Sequence, residues 1–102
     1  MNCQSRGSAR ERIVAEELRA KGWIVKGTGD AHGAIDLIAV RRGDVRLIQV
    51  KGNRDGGPFA NFRPTERKLM NEEALRAGFK AWLVYAPPDR QAPRWIPSWT
   101  WP

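Results

Sequence analysis

Two β-rich runs, Ala34–Val40 and Val45–Lys51, are separated only by Arg41-Arg42-Gly43-Asp44, and this unit constrains the fold most. Runs of branched apolar residues joined by so short a polar segment read as a β-hairpin. With Arg42-Gly43 as the loop, Arg41 pairs with Asp44, and counting back sets Asp36 opposite Gln49. Side chains alternate along a strand, so Asp36, Gln49 and Lys51 then share one face, with Leu47 and Val45 further along it. Ile35, Leu37, Ile48 and Val50 face the other way, into a core. A longer loop would slip the register by a residue and break this grouping.

Around the hairpin the chain alternates helix and strand signals. Ser8-Ala9-Arg10-Glu11 has capping-box spacing, and Ile13, Val14 and Leu18 follow at helical intervals, which predicts a first helix from Ser8. It ends near Lys21-Gly22, where glycine suits a left-handed cap. Trp23–Lys26 is a short strand, and the glycine-rich segment Gly27–Gly33 a loop. Gly52–Pro64 is a long loop. Thr65 is the expected N-cap of a second helix through Ala77, with Leu69, Met70, Ala74 and Leu75 inward and Gly78 as terminator. Lys80–Ala86 is an apolar strand stopped by Pro87-Pro88, and Arg94-Trp95-Ile96 a last short one. The order αβββαββ predicts an α/β domain with a mixed central sheet flanked by helices.

A chain of 102 residues fits one domain over residues 1–102, with residues 1–6 expected to form a disordered arm. Lone Cys3 excludes an internal disulfide and a cysteine-based zinc site. No run approaches the ~20 apolar residues of a membrane span, and the N-terminus lacks an apolar signal core. A cytoplasmic protein without membrane contact is the expectation. The net charge of +7 and pI near 10.5 make a field that attracts polyanions, nucleic acid first among them.

Asp36 is the anomaly in Ala34–Val40, a run otherwise apolar enough to be buried, where a lone carboxylate is costly unless paired. A salt bridge from Asp36 to Lys51 is one explanation. The other is a metal-dependent nuclease. Mg²⁺ takes hard oxygen ligands and keeps several waters, so one or two carboxylates suffice to hold it. It stabilises charge on a phosphate and acidifies a bound water, while a neighbouring ammonium neutralises the developing oxyanion.

Asp36 followed by Gln49-Val50-Lys51 resembles the D…(D/E)-x-K core of the PD-(D/E)xK nuclease superfamily. Arg6-Gly7-Ser8-Ala9-Arg10-Glu11-Arg12 is similar to the opening of the archaeal-type Holliday junction resolvases in that superfamily. The similarity runs from about Arg6 to Tyr85. It implies a restriction-endonuclease-like core and a homodimer that makes paired cuts in four-way DNA junctions with Mg²⁺, or Mn²⁺ in its place. It also implies a catalytic centre of Glu11, Asp36, Gln49 and Lys51, the first three at the metal, with Arg12 as the basic residue after the helical glutamate. Without the resemblance, Glu11 is equally the far end of a capping box. Ile35 stands where the family motif has proline, and Gln49 where it usually has glutamate. The substitution at 49 removes a formal charge but keeps an oxygen ligand, as in Q-x-K branches resembling Mrr-type restriction nucleases.

Arg54, Arg63, Arg67 and Lys68 surround the loop after Lys51, and Arg6, Arg10 and Arg12 flank the other side of the expected site. Such cations suit phosphate contacts, which position DNA without reading its sequence. His32 is read as a loop residue facing phosphate or solvent. Trp95, Trp99 and Trp101 are read as core or interface. A repair or restriction-like nuclease and a catalytically inactive DNA-binding module are the alternatives to a junction resolvase.

Overall fold

Arg42 and Gly43 both adopt positive φ, 51° and 81°, the pair of left-handed residues that a tight two-residue hairpin demands. The computed structural model, which describes residues 5–29, 35–88 and 92–102, therefore turns the chain at the expected place. Its elements are α1 (Ser5–Ala20), β1 (Ile24–Gly27), β2 (Leu37–Arg41), β3 (Asp44–Lys51), α2 (Pro64–Ala77), β4 (Lys80–Tyr85), β5 (Arg94–Pro97) and a 3₁₀ turn at Ser98–Thr100. Arg41 pairs with Asp44 and Leu37 with Ile48, so the register read from the sequence holds.

The five strands form one sheet in sequential order, β1 to β5. Pairs β1–β2, β2–β3 and β4–β5 are antiparallel, while β3 and β4 run parallel. That parallel pair needs a crossover, which α2 supplies. The sheet is thus mixed, with β3 at its centre.

Alternation along β3 divides the core in two. Ile48 and Val50 join Leu37, Ala39 and Val84 beneath Val14, Ala15 and Leu18 of α1. On the opposite face Leu47, Leu83 and Tyr85 pack with Met70 and Ala74 of α2 and with fully buried Phe62. α1 therefore covers one face of the sheet and α2, seated on β4, the other. The apolar side chains on each face, at roughly 1.5–3 kcal/mol each when buried, fix which residues of β3 and its flanks are left at the sheet's end.

Several expectations are corrected. α1 starts at Ser5, so Ser8 lies within the helix and is not its N-cap. Residues 1–4 lie outside the described residues, but Ser5 and Arg6 of the expected arm are helical. The cap of α2 is Arg63, not Thr65; Pro64 takes the first helical position, where its missing N–H costs nothing. Arg63 N–H donates to the Glu66 carboxylate at 2.9 Å, so the capping carboxylate sits here and not on α1. Met70 and Ala74 are buried as expected, but Leu69 and Leu75 are 47% and 80% exposed. One turn of α2 faces the sheet through a narrow stripe, and the leucines fall outside it. Ile35, expected beside Leu37, packs against the α2-side core instead. It precedes β2, where strand alternation no longer governs direction.

Candidate active site

The end of the sheet where β2 begins and β3 finishes gathers the chemistry-bearing residues. Asp36 stands just before β2, yet the ladder continues through it. Its N–H donates to Ile48 O at 2.8 Å, and its carbonyl accepts the Thr28 N–H at 3.1 Å. Thr28 Oγ1 also donates to Ile35 O at 2.6 Å. Backbone on both sides thus holds Asp36 in place, leaving its side chain to serve another purpose.

Its carboxylate oxygen Oδ2 accepts two hydrogen bonds, from Val50 N–H at 2.9 Å and from the Gln49 amide Nε2 at 3.0 Å. Burial raises the Asp36 pKa above its ordinary value. The Val50 hydrogen bond and the Lys51 ammonium oppose that rise, and the charge of Glu66 adds to it. Glu11, half-buried on α1, is also raised, first by burial and then by the charge of Asp36. Two carboxylates from two elements therefore share one electrostatic environment. Each resists ionisation there, which is how groups at functional centres differ from surface carboxylates.

Lys51 closes β3. Its carbonyl accepts Ala86 N–H at 2.8 Å, and its ammonium stands 5.9 Å from the centre of the Phe62 ring, within cation–π range. Phe62 is itself locked by an edge contact with Trp101, centroids 4.9 Å apart. Tyr85 Oη donates to Asn53 O at 2.9 Å, and Asn53 Nδ2 donates to Asp55 O and Gly57 O. The long loop after Lys51 is consequently tied to the sheet and does not hang free, so the ammonium has a fixed base.

Gln49 is 8% exposed. Its nitrogen is engaged by Asp36, which leaves Oε1 as the amide's available acceptor. Among the described residues no group of three His, Cys, Asp or Glu side chains stands close enough to hold a metal. The groups that could hold a metal are hard oxygens throughout: the carboxylates of Asp36 and Glu11 and the amide oxygen of Gln49. That suits Mg²⁺, which completes its shell with water and needs few protein ligands. Burial is the first cause of both raised pKa values, and a bound divalent charge would favour the ionised carboxylates against it.

The basic residues separate into different environments. Arg12, Arg54, Arg63 and Lys68 are exposed. Arg6 lies in α1. Arg67 is half-buried, donates to Phe62 O and lies 5.4 Å from the Phe59 ring centre, so it braces the loop. Arg10 is half-buried against Gly52. His32 and Cys3 lie outside the described residues. Trp95 packs against the α1-side core and Trp101 against the α2-side core, while Trp99 is 64% exposed.

Sequence reasoning missed Glu66. At the third position of α2 it reads as a capping residue, and it does cap, but its charge also reaches Asp36. The available signal was Pro64-Thr65-Glu66, a helix start directly after the loop that follows Lys51.

The five-stranded mixed sheet with its two helices is a fold also found in an archaeal Holliday junction resolvase. The solved structure of Hjc, a Holliday junction resolvase from the archaeal hyperthermophile Archaeoglobus fulgidus, matches with a TM-score of 0.75. The match covers 92% of this chain and 74% of that one at 23% identity, and it establishes the fold. In sequence the chain is 31% identical over 85 residues to the crossover junction endodeoxyribonuclease Hjc of Sulfurisphaera tokodaii. That alignment takes in 78% of this chain and 58% of the relative, so the chain spans somewhat over half the length of the curated relative it matches. No family model matches. The resemblance drawn from Arg6–Arg12 and Asp36…Lys51 is thus the one that sequence and fold comparison both return.

Proposed function

We propose that the chain is a structure-selective DNA endonuclease of the Holliday junction resolvase type, hydrolysing phosphodiester bonds in four-way junctions as a homodimer. The observation that carries the reading is the Asp36 carboxylate, fixed by Val50 N–H and Gln49 Nε2 and electrostatically coupled to Glu11 and Lys51. The likeness to the two Hjc proteins supports it.

Asp36, Glu11 and the Gln49 amide oxygen are the groups that would hold Mg²⁺, or Mn²⁺ in its place. When bound, the ion supplies Lewis acidity toward the phosphate and lowers the pKa of a coordinated water. Lys51 would orient the attacking water and neutralise charge that builds on the phosphate. Val50 N–H keeps the Asp36 carboxylate from rotating, which leaves Oδ1 as the oxygen that would meet a metal. Arg6, Arg10 and Arg12 on α1, with Arg54, Arg63 and Lys68 beyond β3, hold the DNA through its backbone phosphates. Arg67 contributes through the loop it braces.

The homodimer follows from the substrate: two symmetric cuts across a two-fold junction need two sites. Among the described residues no helix is long and apolar enough to cross a membrane.

The test is a cleavage assay with Mg²⁺ on a four-way junction, a flap and a linear duplex of matched sequence. Preferential paired cutting of the junction is the expected result. Equal cutting of all three would indicate a repair or restriction-like nuclease. Binding without cutting would indicate a DNA-binding module whose metal site lost function at Gln49.

A further inference from the structure

Gly52 follows Lys51 and is buried, yet its φ is not among the positive values that favour glycine. The backbone does not require glycine there. Space does: a Cβ on Gly52 would fall onto the Cδ, Nε and Cζ atoms of Arg10. The Arg10 side chain thus crosses the end of β3 in direct contact with the backbone next to Lys51.

Among the described residues Arg10 has no hydrogen-bond or ion-pair partner, although Glu11 is its neighbour in the chain. A guanidinium carries five N–H donors in a rigid fork. With none of them used among the described residues, those donors stay available to water or to an anion from outside. The fork matches two oxygens of a tetrahedral anion, and a phosphodiester presents two non-bridging oxygens in that spacing. Its position, beside Glu11 in sequence and against Lys51's successor in space, puts this donor at the reacting centre and not at the rim with Arg54 and Lys68.

We infer that Arg10 binds the phosphodiester that is cut, as a second cation beside Lys51, and that Gly52 is the space its guanidinium needs. The inference rests on the nuclease reading for the identity of the reaction, but the phosphate contact has its own readout. Arg10→Ala, Arg10→Lys, Gly52→Ala and the Arg10→Ala/Gly52→Ala double variant are compared with wild type. Junction binding is measured against salt without divalent ions, and single-turnover cleavage with saturating enzyme and Mg²⁺.

Arg10→Ala should lower the salt-dependence slope by about one phosphate contact and slow cleavage by about 10²-fold, the scale for losing one transition-state donor. Gly52→Ala should do the same, because its methyl group evicts the guanidinium. The double variant should be no worse than either single one, since both remove one interaction. Arg10→Lys should restore the salt slope but only part of the rate, because an ammonium keeps the charge and loses the fork. An unchanged slope and rate in Arg10→Ala, or losses that multiply in the double variant, would overturn the inference. If Gly52→Ala fails to fold, the Arg10 variants decide alone. If wild type binds junctions without cutting them, the nuclease reading fails while the salt slope still decides the phosphate contact.

Discussion

Val50 N–H donates to Asp36 Oδ2 at 2.9 Å, so a strand amide at the end of β3 orients a carboxylate that lies just before β2. This bond explains how a carboxylate persists in an apolar hairpin. The backbone compensates part of its desolvation, and the remaining cost is visible as a pKa raised above the ordinary value. Asp36→Asn and Lys51→Ala should each abolish strand cleavage while leaving junction affinity within a few-fold of wild type. In the proposed reading, affinity comes from many arginine–phosphate contacts that neither change touches. Circular dichroism accompanies the assay to establish that the variants fold. Near-normal cutting by either folded variant would remove that residue from the centre.

The raised pKa values of Asp36 and Glu11 give a pH dependence with a definite sign. The folded state binds their protons more tightly than the unfolded chain does. Their ionisation therefore weakens the metal-free fold: stability is greatest below the unfolded carboxylate pKa and falls as pH rises through the folded values. Asn at position 36 cannot ionise, so the Tm of Asp36→Asn relative to wild type should climb from acid to neutral pH. A Tm difference independent of pH would contradict the buried-charge account.

Arg42 at φ 51° is the one non-glycine residue in left-handed backbone among the described residues. Such a conformation costs about 1–2 kcal/mol for most side chains and less for asparagine. Asn-Gly is also the preferred pair for this turn. Arg42→Asn should therefore recover part of that cost of about 1–2 kcal/mol, read from urea denaturation midpoints at an unchanged slope. A loss of stability would mean that the Arg42 side chain makes contributions the turn geometry does not show.

Much of this arrangement was legible because the hairpin is short. Once Arg42-Gly43 is the turn, register follows by counting, and Asp36 opposite Gln49 is arithmetic. What failed were helix boundaries and faces. Ser8 and Thr65 carry good capping side chains, but capping propensity is worth only about 1 kcal/mol. α1 begins three residues ahead of Ser8, and proline geometry at Pro64 outweighed the Thr65 cap. Leu69 and Leu75 look like core residues by type, yet the sheet accepts only the narrow stripe of Met70 and Ala74. Glu66 and the Arg10–Gly52 contact depend on distances between elements far apart in sequence, which no local pattern encodes.

Ile24, Leu75 and Trp99 are 64%, 80% and 64% exposed, an apolar load that a small domain leaves uncovered by itself. Sedimentation at micromolar concentration without DNA should give the mass of a dimer. A monomer that still makes paired cuts would contradict the two-site account.

In the proposed reading, Gln49 sets how well the centre would hold an ion. Its Nε2 donates to Asp36, so the amide now supports the carboxylate and presents only Oε1 to a metal. Gln49→Glu replaces that donor with a second acceptor, and Asp36 and the new carboxylate would then repel one another. Without metal the variant should be less stable than wild type at neutral pH, the gap narrowing on acidification as the pair takes up a proton. With metal the order reverses, because an extra negative ligand strengthens binding of a hard cation. The Mg²⁺ concentration for half-maximal cleavage should fall in Gln49→Glu and rise in Gln49→Ala, which loses both the oxygen and the hydrogen bond to Asp36. Thermal shifts with and without Mg²⁺ follow the same comparison independently of turnover. Identical Mg²⁺ midpoints in all three proteins would remove Gln49 from the metal's surroundings. Activity appearing only in Gln49→Glu would identify the amide as the change that silenced the site.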